Sequence, residues 1–386
     1  MLRALFSGVS GLRSHQTMID VVGNNIANVN TPGFKGSQAQ FQDTLSQILR
    51  GGGAGTPEIG GTNPAQVGLG VQVAGISTNF AQGSAKATGR PTDLMVSGDG
   101  FFTVRSGGQT LYTRAGNFDF DPLGRLVSPS GDLVQGWVAN GGVINTGGGL
   151  QDITLPLKAV SPAKASTTAE FSGNLPDDAP VGETLLRDLD VYDASGNKTT
   201  LSITFTRSAT GWDVSEGGTA IGTLTYANGA LTSGASMTIG GVAVDFSETT
   251  GFAKLTDLGV KSQDGRPVGS LDSYSIAPDG TIVGTFSNGA SEPLARIAMA
   301  TFVNPGGLQK AGGSTYEATA NSGAVTYGTA GSAGFGKLAS GYLEMSNVDL
   351  SQEFADLIVA QRGFQANARI VTTSDQILEE VTNLKR

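Results

Sequence analysis

The N-terminal end of the chain carries apolar residues at helical spacing. Positions 2, 5, 9, 12, 16, 19, 23 and 26 alternate steps of three and four, which is the spacing of a heptad seam. Gln16 and Gly23 interrupt the seam, and the pattern predicts one long helix. The pattern stops at Asn30-Thr31-Pro32-Gly33, where proline and glycine favour a helix end and a turn. The apolar positions are Leu2, Leu5, Phe6, Val9, Leu12, Ile19, Val22, Ile26 and Val29.

A second helical pattern occupies the C-terminal end, preceded by the capping side chains of Ser346, Asn347 and Asp349. Two apolar stripes overlap along it, and so wide an apolar surface predicts contact with more than one neighbour. We therefore expect these positions to form a subunit interface, although an ordinary intramolecular helix pair is the alternative. The apolar positions are Leu350, Phe354, Leu357, Ile358, Phe364, Ile370, Val371, Ile377, Leu378, Val381 and Leu384.

The middle of the chain changes to a period of two, which is typical of β-strands. The segment Leu94–Val104 reads as strand, turn and strand, and further β-rich runs are Thr200–Thr206, Ile221–Tyr226 and Val242–Phe246. Glycine is abundant here, with 58 residues in the whole chain, as expected where many short strands are joined by tight turns.

These patterns predict a multidomain fold with a coiled-coil-like domain of the N- and C-terminal helices and two mainly-β domains, the second inserted in the first. Similar strand–turn–strand segments at Phe118–Val127 and Tyr274–Val283 place both in one β domain. The predicted domains are a terminal helical domain (1–30 and 341–386), a connecting segment (31–70), a first β domain (71–145 and 262–340) and an inserted outer β domain (146–261). Within the connecting segment, Phe41, Leu45, Ile48 and Leu49 are spaced to line a short helix.

Composition argues against several functions. The net charge is −9 and no basic run occurs, so we expect no nucleic-acid partner. No stretch of 18 apolar residues occurs, so we expect no membrane insertion. The first residues do not read as a cleavable secretory signal.

Candidate catalytic and metal-binding residues are scarce. Cysteine is absent and His15 is the one histidine, so neither a thiolate site nor a multi-histidine site can form. The Asp119–Gly124 segment favours a β-turn over a calcium loop, because the other ligands are missing. The acidic residues Asp188, Asp190 and Asp193 favour a solvated edge strand. We therefore predict no cofactor and no enzyme.

Both ends of the chain contain long specific motifs. At the N-terminus these are Ser7–Leu12 and Gly23–Lys35, and at the C-terminus Gly341–Leu350 and Gln361–Arg369. They resemble the axial rod and hook proteins of the bacterial flagellum. The segments Asn174–Pro176, Val191–Asn197 and Phe302–Leu308 look like those of the hook type, whereas Asp99–Phe102 and Tyr112–Phe118 are shared with distal rod proteins. Phe364 stands where the family often has tyrosine.

The resemblance implies a structural subunit of the flagellar hook that self-assembles into a curved, flexible tube and works as a universal joint between rod and filament. The distal rod protein is the alternative. The implied partners are further copies of the chain, the distal rod protein, the hook–filament junction protein, the hook cap protein and the flagellar type III export apparatus. The implied location is the extracellular flagellum, reached without cleavage of a signal peptide.

Overall fold

The computed structural model describes residues 2–55, 60–155 and 160–383. Two helices lie at the ends of the chain, α1 (Leu2–Ala27) and α2 (Leu350–Asn383), and the chain between them is mainly β. The predicted pairing of the terminal helices is confirmed, because α1 and α2 pack against each other. Neither helix is long and apolar enough for a membrane span, a statement that covers the described residues.

The strands between the helices are short and joined by tight turns, as the glycine content predicts. Up to residue 152 they are β1 (Ser37–Asp43), β2 (Ser46–Arg50), β3 (Ala65–Gly68), β4 (Val71–Thr78), β5 (Ala85–Ala87), β6 (Leu94–Ser97), β7 (Phe101–Ser106), β8 (Gln109–Thr113), β9 (Asp119–Phe120), β10 (Leu126–Val127), β11 (Leu133–Asn140), β12 (Val143–Ile144) and β13 (Gln151–Asp152).

The later strands continue the same pattern. They are β14 (Val160–Ser161), β15 (Thr168–Asn174), β16 (Thr184–Tyr192), β17 (Lys198–Arg207), β18 (Trp212–Glu216), β19 (Thr219–Ala227), β20 (Ala230–Ser233), β21 (Ser236–Ile239), β22 (Val242–Thr250), β23 (Gly259–Gln263), β24 (Gly269–Ile276), β25 (Thr281–Phe286), β26 (Ser291–Thr301), β27 (Gln309–Gly312), β28 (Thr315–Glu317), β29 (Thr326–Thr329), β30 (Lys337–Ser340) and β31 (Tyr342–Glu344). A short 3₁₀ helix spans Pro305–Gly307.

The chain divides into two compact units. Unit 1 comprises Met1–Leu155, Ser275–Val283 and Pro293–Arg386, and unit 2 comprises Pro156–Tyr274 and Gly284–Glu292. Unit 1 therefore holds both helices together with strands β1–β13 and β27–β31. The finer prediction, an outer domain inserted over residues 146–261, stays a prediction.

Unit 1 is organised around a sheet in which β11 pairs with β7 and β26, and β7 continues to β8, β28 and β27. Its core lies under these strands, where Leu94, Phe102, Phe118 and Ile297 are fully or almost fully buried. The rings of Phe102 and Phe118 meet edge to face with their centroids 5.0 Å apart, a favoured geometry for aromatic pairs.

Unit 2 contains a nine-stranded sheet in the order β16-β17-β18-β19-β20-β22-β15-β23, with β21 paired to β22. Its core is built on Phe171, Phe205, Trp212 and Phe246. Strand β22 shows why the period of two predicted it: Val242, Val244 and Phe246 are buried while the residues between them are exposed. Strand β16, which carries Asp188 and Asp190, lies at the sheet edge as predicted.

The short helix predicted in the connecting segment is wrong. Phe41 lies in β1 and Ile48 in β2, and these strands pair antiparallel with β4 and β3, respectively. The spacing of four between Phe41 and Leu45 fits a helix locally, but distant pairing with residues 65–78 satisfies the backbone instead. Tertiary context overrides local preference in this way because propensity differences are small.

Candidate functional site: the terminal helix pair and its roots

The two terminal helices run antiparallel and meet through small residues. A Cβ placed on Gly8 would lie 3.2 Å from Cγ2 of Val371, and one on Gly11 would lie 2.5 Å from Oδ1 of Asn367. Further along, a Cβ on Gly363 would lie 2.5 Å from the imidazole of His15. The backbones approach closely because these positions lack side chains. Glycines on each helix therefore let side chains of the other helix, such as Val371, Asn367 and His15, pack against its backbone.

The predicted interface residues fall into three groups in this structure. Val22 is buried. Half-buried are Leu5, Val9, Leu12, Ile19, Ile26, Val29, Leu357, Val371 and Leu378. Exposed are Phe6, Leu350, Phe354, Ile358, Phe364, Ile370, Ile377 and Val381. Leu384 and the side chain of Leu2 lie outside the described residues, and Val29 falls in the turn after α1 rather than within it.

The exposed members leave a large apolar surface on the helix pair. Phe6 is 66% exposed, Phe354 50% and Ile358 58%. Val359, which the sequence pattern missed because it lies off both stripes, is 60% exposed beside Ile358. Large apolar side chains exposed in this number on two paired helices indicate an interaction site in a soluble protein. The assignment of the individual residues to a subunit interface remains a prediction.

Below the helices, three charged side chains form a buried cluster. Nζ of Lys35 lies 2.6 Å from Oε1 of Glu344, and both side chains are 0% exposed. Nη1 of Arg114 lies 3.5 Å from Oε2 of the same carboxylate. Burial lowers the pKa of Lys35 and of Arg114, and in both cases the charge of Glu344 opposes that shift. Glu344 is thus the anion that two buried cations share.

Two buried or half-buried asparagines complete the polar network around this cluster. The Asn25 carboxamide donates to the carbonyl of Ser37 at 2.7 Å and to Oε1 of Glu353 at 2.9 Å. The Asn347 carboxamide donates to the carbonyl of Asn79 at 2.8 Å and accepts from the backbone N–H of Gly36 at 2.9 Å. Buried polar groups need such partners, so the network fixes where each helix leaves the β structure.

Two glycines are required by this packing. Gly33 has φ +68°, and a Cβ there would lie 2.3 Å from the backbone nitrogen of Ala115. A Cβ on Gly83 would lie 2.0 Å from the carbonyl oxygen of Met345. Neither close approach tolerates a side chain, since backbone atoms cannot move aside cheaply. The chain segments at the base of the helices are therefore packed backbone against backbone.

Pattern reasoning missed Lys35, Arg114, Glu344 and the asparagines as structural residues. Hydrophobic periodicity carries no signal for polar side chains that are buried by distant chain. The one available signal was the resemblance to flagellar rod and hook proteins. These residues lie within the motifs that carry it, Gly23–Lys35, Tyr112–Phe118 and Gly341–Leu350.

The remaining chemical candidates behave as structural groups. His15 packs between the helices and meets the ring of Phe41 edge to face at 5.7 Å. Asp121 accepts hydrogen bonds from the backbone N–H groups of Leu123 and Arg125, which confirms the predicted turn. Among the described residues, no group of three or more His, Cys, Asp or Glu side chains could hold a metal ion.

Known protein families match the chain over the same segments that contain the sequence motifs. Three family models match the chain: "Flagella basal body rod protein" over residues 5–35, "Flagellar hook protein FlgE/F/G D1 domain" over 95–167 and "Flagellar basal body rod FlgEFG protein C-terminal" over 339–384. The first and last cover most of α1 and α2 together with Lys35 and Glu344, and the D1-domain model covers Arg114. They define the class as the flagellar rod and hook proteins.

Relatives that match over nearly their whole length show which family within this class the chain belongs to. The flagellar hook protein FlgE of Borreliella burgdorferi is 39% identical, with 100% of each chain covered. The flagellar hook protein FlgE of Salmonella typhimurium is 37% identical, with 98% of each chain covered. The flagellar basal-body rod protein FlgG of Bacillus subtilis is 33% identical, with 100% of each chain covered. The chain belongs to the family of flagellar hook proteins, which are structural subunits of the flagellum.

Proposed function

We propose that this chain polymerises into the curved, flexible tube of the flagellar hook, with its exposed helical residues as the subunit interface. The observation that carries the proposal is the apolar surface of the helix pair, where Phe6, Phe354 and Ile358 are each at least half exposed. Each large apolar side chain that becomes buried contributes about 1.5–3 kcal/mol. A head-to-tail contact that does not close then extends into a helical polymer.

The exposed apolar side chains also affect the stability of α1 and α2 in the free subunit. Helices that cannot bury their apolar faces are only marginally stable in water. We infer that the outer parts of α1 and α2 are partly disordered in the monomer and become ordered on assembly. The β structure of the two units, each with its own core, folds without them.

The test is to place charge on the exposed helical surface. In the double variant Phe354→Asp/Ile358→Asp we expect a folded monomer that no longer forms sedimentable polymer under conditions in which the wild-type chain does. Leu123→Asp is the matched control, because Leu123 is 70% exposed in the turn between β9 and β10. Polymer of normal length and yield from the double variant would contradict the proposal.

A deletion of residues 1–30 provides a second test. It removes α1 and should leave both β cores folded, so the truncated chain is expected to be soluble and unable to polymerise. Filaments formed by the truncated chain would refute the role of the helices.

The shape of the polymer separates the hook from the distal rod. The partial similarity to a rod protein, 33% identity to the Bacillus subtilis FlgG, makes the straight rod the alternative. Electron microscopy of polymer from the purified wild-type chain is expected to show curved tubes. Straight tubes would favour the distal rod.

We further infer that the chain is not an enzyme. A cleft of about 620 Å³ has Asp132, Ser128 and Ser130 in its wall. Burial opposes ionisation of Asp132, but hydrogen bonds from serine hydroxyls outweigh it and lower its pKa. A carboxylate held ionised by its neighbours supports a structural role rather than general acid catalysis.

We infer the partners from the likeness to hook proteins. Besides further copies of itself, the subunit would contact the distal rod protein, the hook–filament junction protein and the hook cap protein, and would be exported by the flagellar type III apparatus without signal cleavage. We infer an extracellular position in the flagellum, with no nucleic-acid partner and no membrane insertion. The net charge of −9 supports the absence of a phosphate-binding role.

A further inference from the structure

The bases of the two helices are joined directly to each other. We define the N-terminal root as residues 24–37 and the C-terminal root as residues 341–353. The backbone N–H of Gly33 donates to the carbonyl of Glu344 at 2.8 Å. Lys35 Nζ donates to the Glu344 carboxylate, Gly36 N–H to the Asn347 side chain, and the Asn25 side chain to Glu353. Four polar contacts therefore connect segments from opposite ends of the chain.

Each root also contacts the same loop, residues 79–83 between β4 and β5. Lys35 Nζ donates to the carbonyl of Ala81 at 2.8 Å, and the N–H of Gly83 donates to Oε1 of Glu344 at 2.9 Å. Asn347 donates to the carbonyl of Ala81 as well, at 3.0 Å. The two roots and residues 79–83 thus form one three-part contact in which every part touches the other two.

The buried charges disfavour a state in which one root is docked and the other is detached. If the C-terminal root detached while the N-terminal root stayed docked, Lys35 and Arg114 would both lose the carboxylate that they share. If the N-terminal root detached, Glu344 would lose its closest cation. Removing one partner of a buried ion pair is strongly destabilising because the remaining charge is neither solvated nor paired. Docking of either root therefore favours docking of the other, and such coupling is reciprocal.

We propose that Glu344 acts as a latch that makes the two roots dock on the β structure in one cooperative step. The latch operates within a single subunit and does not depend on polymer formation. It keeps the bases of α1 and α2 side by side while the outer parts of the helices remain free to order later. In any one subunit, the bases of both helices would then be docked side by side, or neither would be docked.

Hydrogen exchange of the monomer, followed by mass spectrometry, tests the proposal. In the wild-type chain both roots are expected to be protected. Glu344→Gln should accelerate exchange in residues 24–37 and 341–353 by the same factor, about 100-fold, while strand β7 keeps its protection. Lys35→Met should also accelerate both roots together. Lys261→Met is the matched control, because it breaks the exposed pair of Lys261 with Glu248 and should change neither root.

A milder variant covers the case in which Glu344→Gln unfolds unit 1 as a whole. Asn347→Ala removes hydrogen bonds without leaving a buried charge, so both roots should exchange about fivefold faster with β7 unchanged. Acceleration confined to one root, in either variant, would overturn the latch. Roots that are unprotected in the wild-type monomer would overturn it too. None of these outcomes requires polymer, so they are distinguishable from failure of the assembly tests.

Discussion

The imidazole of His15 lies against Gly363, so closely that a Cβ on the glycine would come within 2.5 Å of the ring. The single histidine of the chain thus occupies the space that a side chain on α2 would need. The missing side chain at Gly363 therefore lets α1 and α2 approach closely at this point. It also makes the helix pair sensitive to one added side chain.

Gly363→Val should separate the helices. The valine side chain would overlap the His15 ring, and overpacking of this kind costs about 1–3 kcal/mol. We expect a loss of helical circular dichroism and of polymer, with both β cores still folded. His15→Ala in the same chain removes the ring and should restore much of both signals. If the double variant behaves no better than Gly363→Val, the overlap is not the cause.

Gly23→Ala should have the opposite effect on the monomer. Gly23 lies within α1, and a Cβ there would meet no atom within 4 Å. Alanine in a helix interior is favoured over glycine by about 0.5–1 kcal/mol. We expect an increase in monomer helicity by circular dichroism. Gly11→Ala is the matched control, since its Cβ would lie 2.5 Å from Asn367, and equal gains from both variants would show that the close approach at Gly11 is unimportant.

Gly116→Ala should destabilise unit 1. A Cβ at this position would lie 1.8 Å from the carbonyl oxygen of Leu94, a backbone atom that moves only if its strand moves. We expect a loss of about 1–3 kcal/mol in the free energy of unfolding. Urea unfolding followed by the fluorescence of Trp137, in a Trp212→Phe background, measures it. Gly75→Ala, whose Cβ would meet no atom within 4 Å, should lower the urea midpoint little or not at all.

Asp264 should make the stability of unit 2 depend on pH. Burial opposes its ionisation, but hydrogen bonds from the backbone of Thr168 and from the hydroxyl and backbone of Thr167, together with Lys164, outweigh burial and lower its pKa. A carboxyl whose pKa is lower in the folded state stabilises the fold above its unfolded pKa of about 4, and that stabilisation is lost as the pH falls below it.

Asp264→Asn tests this dependence. The variant should be less stable than the wild-type chain at pH 7, and the difference should shrink as the pH falls from about 4 towards 2. Trp212 fluorescence during urea unfolding reports on unit 2. Glu183→Gln serves as the control because Glu183 is exposed. A difference that stays constant from pH 7 to pH 2 would rule out the carboxylate charge as its source.

Local patterns were sufficient for the two terminal helices and for many of the strands of this chain. Steps of three and four predicted α1 and α2, and alternation predicted strands such as β7 and β22, because a residue's neighbours along the chain decide which face it shows. Pro32 and Gly33 marked the end of the first helical pattern for a similar local reason. The motifs at the two ends, which lie on these elements, were enough to indicate the family.

Only the tertiary structure decided how the ends are held. The pairing of β1 and β2 with residues 65–78, which replaced the predicted helix, depends on chain that lies beyond any local window. Lys35 and Glu344 are 309 residues apart in sequence, and nothing in either neighbourhood indicates that each is the other's counter-ion. The sequence pattern also did not indicate the close helix contacts at Gly8, Gly11 and Gly363. Hydrophobic periodicity detects large apolar residues, and it gives no signal for positions where the absence of a side chain is what matters. Burial and charge pairing between distant segments are properties of the folded chain, and the sequence reveals them only where a motif has already marked the place.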